Sequence, residues 1–282
     1  MTQLIINADD FGQSESVNAG IAESYRDGVL TSATWLAGGN AAAAAAALDG
    51  LDGLDVGLHV ALSGVRPVGD PSPFRDLLDR EGRWPSRYPA VVRWLASRRD
   101  ARALVETEWR AQIERFVEVW GRPPTHLDSH QHIALLPGLS ALFARLASEA
   151  GVRAVRVPQE VRGPRHFAAP LAWHRPHETA VLSVLAGRLR RHARRAGLHA
   201  PDSFAGFRQS GRMDEATLLA LLPDLGRRDG VVELMVHPGD ADEAGGAFAY
   251  RRRQERDALT SPRVSEALGT CRLRLARFSD LP

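Results

Sequence analysis

The stretch IINADDFG, residues 5–12, carries the most information about how this chain folds. It places two adjacent carboxylates, Asp9 and Asp10, directly after a short apolar run, and the helical pattern SVNAGIAESYRDG follows. In parallel α/β proteins, functional side chains gather where strands end and helices begin. The stretch therefore predicts a first strand that delivers two carboxylates to the rim of a parallel sheet.

Short apolar strands and helical patterns continue to alternate along the rest of the chain. We expect about eight strands, within LIINA, VLTSATWLA, LDVGLHVAL, PTHLDSH, VRAVRVP, DSFAGF, VVELMVHPG and RLRLARF. Helices are expected in the alanine run 41–47 and over roughly 88–99 and 101–120, whereas the Pro-, Gly- and Arg-rich residues 63–89 predict a long loop of the kind that forms lids or binding segments. The pattern favours an α/β fold, a (β/α) barrel or a distorted version of one, in a single domain over residues 1–282.

Composition narrows the classes of function. The chain has 282 residues, 44% of them hydrophobic, and a net charge of +2, although all its basic residues are arginines. It has neither the basic excess nor a motif typical of nucleic-acid binding. We see no leader and no apolar run near the roughly 18 residues of a membrane span, so we expect a cytoplasmic protein. The lone Cys271 has no cysteine partner, so a metal would be held by oxygen and nitrogen ligands.

One charge run stands apart. RLRRHARRAG, residues 188–197, contains five arginines and a histidine. It is typical of the solvated face of a helix ended by Gly197, and the alternative is peripheral contact with an anionic surface or a membrane-associated substrate. The sequence is compatible with a homodimer.

Polar residues also end the other predicted strands: His59 in the third, Asp128 and His130 in the fourth, and His237 in VVELMVH. A divalent cation would make the aspartate pair tolerable, because it keeps nearby carboxylates ionised. One aspartate and two histidines suit Zn²⁺ best, with Mg²⁺ as the alternative. Strand-end aspartates can instead cap a helix, although Ser14 or Ser16 could do so here. A histidine such as His59, taken alone, is more often structural than a metal ligand, and His126 is expected to be structural.

Four motifs together carry a family resemblance: NADDFG near the start, VGLH at 56–59, THLDSHQH at 125–132 and HPG at 237–239. In this order and spacing the chain resembles the YdjC-like carbohydrate deacetylases, a group that includes chitooligosaccharide deacetylase and the hopanoid-associated deacetylases. The resemblance extends from residue 3 to about residue 240.

The resemblance implies a distorted TIM-like barrel of the polysaccharide-deacetylase type and metal-assisted hydrolysis of an N-acetyl group on an amino sugar, with release of acetate. Matched position by position, Asp10, His59 and His130 would hold the metal. Asp9 would be the general base, and His237 would protonate the leaving amine. The substrate would be chitooligosaccharide-like or a lipid-linked N-acetylglucosamine.

Substrate contacts are expected from Asp128, His132, Arg156 and Gln112. Asp128 could instead orient the site from the same side of the strand as His130, and Arg156 could be a surface ion pair. Trp84, Trp94, Trp109 and Trp120 are either sugar-stacking platforms or buried helix residues. The family often carries a further histidine at the position of Ala134. Its absence here points to a change in a substrate contact or in the groups that support the metal ligands, not to loss of activity.

Two alternatives remain at this stage. Metal-dependent phosphoester hydrolysis would also use Asp and His ligands, but the sequence has no Gly-rich phosphate cradle. A catalytically silent sugar-binding barrel would not need both a candidate base and a candidate acid.

Overall fold

The computed structural model describes residues 1–47, 49, 51–161, 176–242 and 249–282. Its strands are β1 (Thr2–Phe11), β2 (Ser32–Trp35), β3 (Asp55–Val60), β4 (His126–Ser129), β5 (Ala154–Val155), β6 (Ser203–Ala205), β7 (Val231–Val236) and β8 (Leu273–Leu275). They form one parallel sheet in the order β5-β4-β3-β2-β1-β7-β6, with β8 beside the start of β1. The strands predicted from the sequence are confirmed.

The two edges of this sheet meet. The amide of Val155 donates to the carbonyl of His199 at 2.9 Å, and the amide of Val161 donates to that of Phe204 at 2.7 Å. These bonds join the segment that starts with β5 to the segment that contains β6. The sheet therefore curls into a distorted (β/α) barrel, which confirms the predicted fold class.

Helices cover the outside of the barrel. They are α1 (Glu15–Arg26), α2 (Ala41–Ala47), α3 (Tyr88–Ser97), α4 (Ala101–Trp120), α5 (Leu139–Glu149), α6 (Pro176–Arg195), α7 (Glu215–Leu225), α8 (Arg252–Leu259) and α9 (Pro262–Thr270), with short 3₁₀ turns at Ser72–Phe74, His130–Leu135 and Phe278–Asp280. The helices predicted over 88–99 and 101–120 lie at α3 and α4. Gly121, with a φ of 64°, ends α4 in the left-handed conformation that glycine adopts without strain.

Of the four tryptophans considered for sugar stacking, three are buried and Trp120 is half-buried. Trp84 and Trp109 are 1% exposed and Trp94 is 9% exposed. Trp120 packs edge-on against Trp35, with ring centroids 5.8 Å apart. Packing of these large apolar rings stabilises the outer layer of the barrel. The buried Trp84, Trp94 and Trp109 suit the core interpretation, and a sugar contact of Trp120 stays a prediction.

The predicted long loop between β3 and α3 has its own small core. Phe74 packs on Trp84 at 4.7 Å and on Trp94 at 5.5 Å between ring centroids. The amide of Trp84 donates to the carbonyl of Val65 at 2.8 Å. The loop is thereby tied to the segment that follows β3, next to the strand-end rim.

The arginine-rich segment forms the end of α6 and the turn to Gly197. Within the described residues, no helix is both long enough and apolar enough to cross a bilayer. Peripheral contact of α6 with an anionic surface stays a prediction.

Candidate active site

A β-bulge in β1 explains why two adjacent carboxylates reach one place. Successive strand residues normally point to opposite faces of a sheet. Here Ala8 pairs with Ala33 and Phe11 pairs with Trp35, so Asp9 and Asp10 together stand opposite Thr34 alone. Asp10 has a φ of 67°, which is rare for a residue with a side chain. The bulge turns both carboxylates into the rim.

Neither aspartate is needed as a helix cap. The Oγ of Ser14 accepts a hydrogen bond from the amide of Val17 at 3.2 Å and caps α1. Both carboxylates can therefore contact other side chains at the strand-end rim, where the two residues are 2–3% exposed.

The three residues expected to hold a metal converge. Asp10 Oδ1 lies 3.0 Å from His130 Nδ1 and 3.8 Å from His59 Nε2. The two imidazole nitrogens are 3.3 Å apart. Asp10 Oδ1 is fully buried and makes no hydrogen bond of good geometry within the described part of the chain. Three lone-pair donors that face one another in a buried place fit a divalent cation, with coordination positions left for water and substrate.

Asp128 orients His59 from behind. Its Oδ1 lies 2.5 Å from His59 Nδ1, and the Thr34 hydroxyl donates to its Oδ2 at 3.2 Å. A carboxylate on one ring nitrogen directs the other nitrogen toward a metal. Burial alone would lower the pKa of His59, but Asp128 and then Asp9 raise it to about 9. A cation must therefore displace a proton from this histidine.

Asp9 is held by Arg156. Two guanidinium nitrogens of Arg156 donate to the two carboxylate oxygens of Asp9, each at 2.7 Å, and the Asn7 amide donates to Oδ1 at 3.1 Å. Burial alone would raise the pKa of Asp9, but the charge of Arg156 and then that of His59 hold it well below its usual range. The Asp9 carboxylate is therefore ionised at neutral pH, and its Oδ2 lies 3.8 Å from His59 Nε2. With His59 and Asp128 it forms a second group whose ligand atoms lie close together.

Arg156 does not lie on the surface. It is 2% exposed, and besides Asp9 it contacts Asp128 at 2.6 Å and Glu233 at 2.6 Å. The surface ion-pair alternative is therefore wrong. Its donors point to three buried carboxylates, so the geometry is that of a residue that orders the site.

His237 follows β7 on the same rim. Its backbone amide donates to Glu255 Oε2 at 2.6 Å, and its ring lies 4.5 Å from the ring of Tyr250. Its Nδ1 is buried and meets no hydrogen-bond partner among the described residues. Burial lowers the pKa of His237 to about 4, against the opposing effect of Asp9 and Asp10, so the resting imidazole is neutral at pH 7.

Two of the expected substrate contacts lie away from the centre of the cluster. The Gln112 side chain bonds both the amide and the carbonyl of Ala61, at 2.9 and 2.8 Å, and ties α4 to the end of β3. His132, with a φ of 53°, packs against Phe204 and Phe207. Contact between sugar and either residue stays a prediction.

His126 and Ala134 lie in packed surroundings. His126 stacks on Phe278 at 3.6 Å, and its Nε2 lies 3.1 Å from Asn7 Oδ1, so it is structural as expected. Ala134 is 1% exposed and lines a cavity of about 10 Å³ next to Asp128 and Arg156. A cavity of this size holds about one water molecule.

Sequence reasoning missed the residues that come from β7 and α8. Glu233 contacts Arg156, Arg252 donates to Asp10 Oδ2 at 2.8 Å, and Glu255 accepts from His237. Arg252 and Glu255 lie in RRRQERDAL, whose charge is typical of an exposed helix. Glu233 alone could have been found from the sequence, because it is a charged residue between the apolar residues of the strand VVELMV.

Known proteins resemble this chain over nearly its whole length. The family model described as YdjC-like protein matches residues 3–270. The chain is 34% identical to a carbohydrate deacetylase from Mus musculus, over 99% of this chain and 94% of that protein. It is 32% identical to a chitooligosaccharide deacetylase from Salmonella schwarzengrund, over 99% and 98%. A crystal structure from Enterococcus faecalis, of a protein named for cellobiose-phosphate cleavage, superposes with a TM-score of 0.76 at 25% identity, over 98% and 97%. The chain belongs to the YdjC-like protein family.

Proposed function

We propose that this protein is a metal-dependent hydrolase that removes the N-acetyl group from an acetylated amino sugar and releases acetate. The observation that carries the proposal is the buried cluster of Asp10, His59 and His130 with the ionised Asp9 beside it. The names of the mouse and Salmonella relatives point to the same class of substrate.

Asp10 Oδ1, His59 Nε2 and His130 Nδ1 would hold the cation, with Zn²⁺ the first candidate for this donor set. When bound, such an ion polarises the acetyl carbonyl and lowers the pKa of water, which an amide requires because it is a poor electrophile. Asp128 keeps His59 in the orientation that presents Nε2 to this place.

Asp9 would take a proton from the attacking water. Arg156 fixes the position of its carboxylate and keeps it ionised, at the cost of some basicity. The departing nitrogen needs one proton, and the proton taken from water balances the reaction. His237 is neutral at rest, so it would first have to receive this proton, and it is the group proposed to deliver it to the nitrogen.

The test is acetate release from N-acetylglucosamine oligomers and from a lipid-linked N-acetylglucosamine, by chelated protein with and without restored Zn²⁺. Asp9→Asn should lower the rate by about 10²- to 10⁴-fold while it leaves Zn²⁺ binding in place. Asp10→Asn should abolish Zn²⁺ binding. Glu118→Gln, on the exposed face of α4, is the matched control and should change neither.

Each outcome bears on a separate part of the proposal. Full activity of Zn²⁺-loaded Asp9→Asn would remove Asp9 as the base. Release of phosphate from a sugar phosphate, without acetate from either acetylated sugar, would replace amide hydrolysis with phosphoester hydrolysis.

A further inference from the structure

One turn of α8 contacts both sides of the candidate active site. Arg252 lies in this turn and is 2% exposed. Its Nη2 donates to Asp10 Oδ2 at 2.8 Å and to Gln13 Oε1 at 2.9 Å. Asp10 Oδ2 is thereby engaged on the α8 side, while Oδ1 faces the two histidines.

The same turn also contacts the segment that carries His237. The Arg252 carbonyl accepts from the amide of Gly239 at 3.1 Å, and its guanidinium lies 5.0 Å from the centre of the Tyr250 ring. Tyr250 in turn packs on His237. Glu255, one turn later, accepts from the amides of His237 and Met213. Two rim segments, one after β7 and one at the bulge of β1, are thus fastened to a single helix.

We infer that Arg252 is a positioning residue for the metal site: it selects which oxygen of Asp10 faces His59 and His130. The inference rests on the proposed function only in that Asp10 is taken as a metal ligand. The two oxygens of a carboxylate are chemically equal, so an outside partner has to distinguish them.

Arg252 acts on a cation in two opposite ways. As an orienting donor it favours metal binding, because hydrogen-bond partners of a ligand typically contribute 10- to 100-fold to affinity. As a positive charge it repels the metal and weakens binding. A positioning role means that the first effect is the larger, so removal of Arg252 must weaken metal binding.

The experiment is titration of the full-length apoprotein with Zn²⁺ in competition with a chromophoric chelator, without substrate. Arg252→Met should raise the dissociation constant for Zn²⁺ by about 10- to 100-fold. Arg252→Lys keeps a positive charge and hydrogen-bond donors but lacks the planar guanidinium that lies over the Tyr250 ring, and it should give a smaller loss. Arg256→Gln is the matched control, because Arg256 lies one turn further on the same helix and pairs with Asp240 and Asp257 at the surface. It should bind Zn²⁺ as the parent protein does.

The melting temperature of each variant, measured without and with Zn²⁺, separates loss of metal-site orientation from loss of general stability. If Arg252 were only structural, its substitution would lower the melting temperature of the apoprotein but leave the increase on adding Zn²⁺ unchanged. If Arg252→Met does not fold, Gln13→Ala removes only the second acceptor of Arg252 and should weaken Zn²⁺ binding in the same direction. Unchanged or tighter binding in the folded variants would overturn the inference. Asp10→Asn separates this failure from failure of the proposed function: if it too leaves Zn²⁺ affinity intact, the ligand assignment itself is wrong.

Discussion

Two clusters of arginines and carboxylates in this protein have similar contact distances and very different surroundings. Inside the barrel, Arg156 contacts Asp9, Asp128 and Glu233 at 2.6–2.7 Å. Between α4 and α5, Arg110 and Arg145 contact Glu106 and Glu149 at 2.6–3.0 Å. The side chain of Arg156 is 1% exposed, whereas those of Arg110 and Arg145 are 42% and 41% exposed.

Contact distance alone therefore does not indicate what an ion pair does. Exposed pairs are screened by water and contribute little to stability. A buried arginine cannot leave its carboxylates without uncompensated charges in the interior. The interior cluster therefore holds side chains in place for chemistry, while the surface cluster can be rearranged at little cost.

The largest effect is expected from Arg156→Met, which leaves three buried carboxylates without their shared cation. The free energy of unfolding should fall by about 3–5 kcal/mol, and acetate release should be lost because Asp9 is no longer held. Urea denaturation of the metal-free protein measures the first effect. A loss below about 1 kcal/mol would mean that the interior cluster behaves like the surface one.

The pH dependence of this loss follows from Asp9. Because the folded pKa of Asp9 lies well below its unfolded value, its pairing contributes stability above the unfolded pKa, near 3.8, and loses that contribution as the pH falls through the folded pKa. The difference between the parent protein and Arg156→Met should therefore shrink in acid. A difference that grows on acidification would contradict this account.

A smaller effect is expected from Glu233→Gln, and here the pH dependence of the stability runs in the opposite direction from that of Asp9. Burial raises the pKa of Glu233 to about 7, despite Arg156. A raised folded pKa contributes stability below the unfolded value of 4.5, and this contribution is lost as the pH rises through about 7. The change should amount to about 3 kcal/mol, since one pKa unit corresponds to about 1.36 kcal/mol and the pKa rises from 4.5 to about 7. In Glu233→Gln the stability curve between pH 4.5 and 8 should be flatter than in the parent, and parallel curves would be the contrary result.

Much of the fold follows from local patterns. The apolar periodicity of residues 101–120, ended by Gly121, predicted α4, and the strand-end polar residues predicted which side of the barrel carries the site. The convergence of Asp10, His59 and His130 was implied by the family resemblance, and the geometry agrees with it.

The other features of the site depend on which residues the tertiary fold buries, and local sequence patterns do not show this. The bulge that turns Asp9 and Asp10 to one side depends on the pairing of β1 with β2. An arginine in VRVP or in RRRQE has the composition of a surface residue, yet Arg156 and Arg252 are both 2% exposed. Conversely, tryptophans on amphipathic helices suit a sugar site as well as a core, and only packing distinguishes the two.

The smallest effect is expected from Glu106→Gln in the surface cluster. Glu106 contacts Arg110 at 3.0 Å and Arg145 at 2.7 Å, but its side chain is 30% exposed and water competes for both arginines. The free energy of unfolding should fall by less than about 1 kcal/mol. In 1 M NaCl, where the screening length is about 3 Å, the difference should nearly vanish. The loss in Arg156→Met should persist at the same salt concentration, because ions do not reach the interior cluster. Urea denaturation of both variants at about 0.05 and 1 M NaCl makes the comparison directly: if salt reduced both losses equally, burial would not be what separates the two clusters.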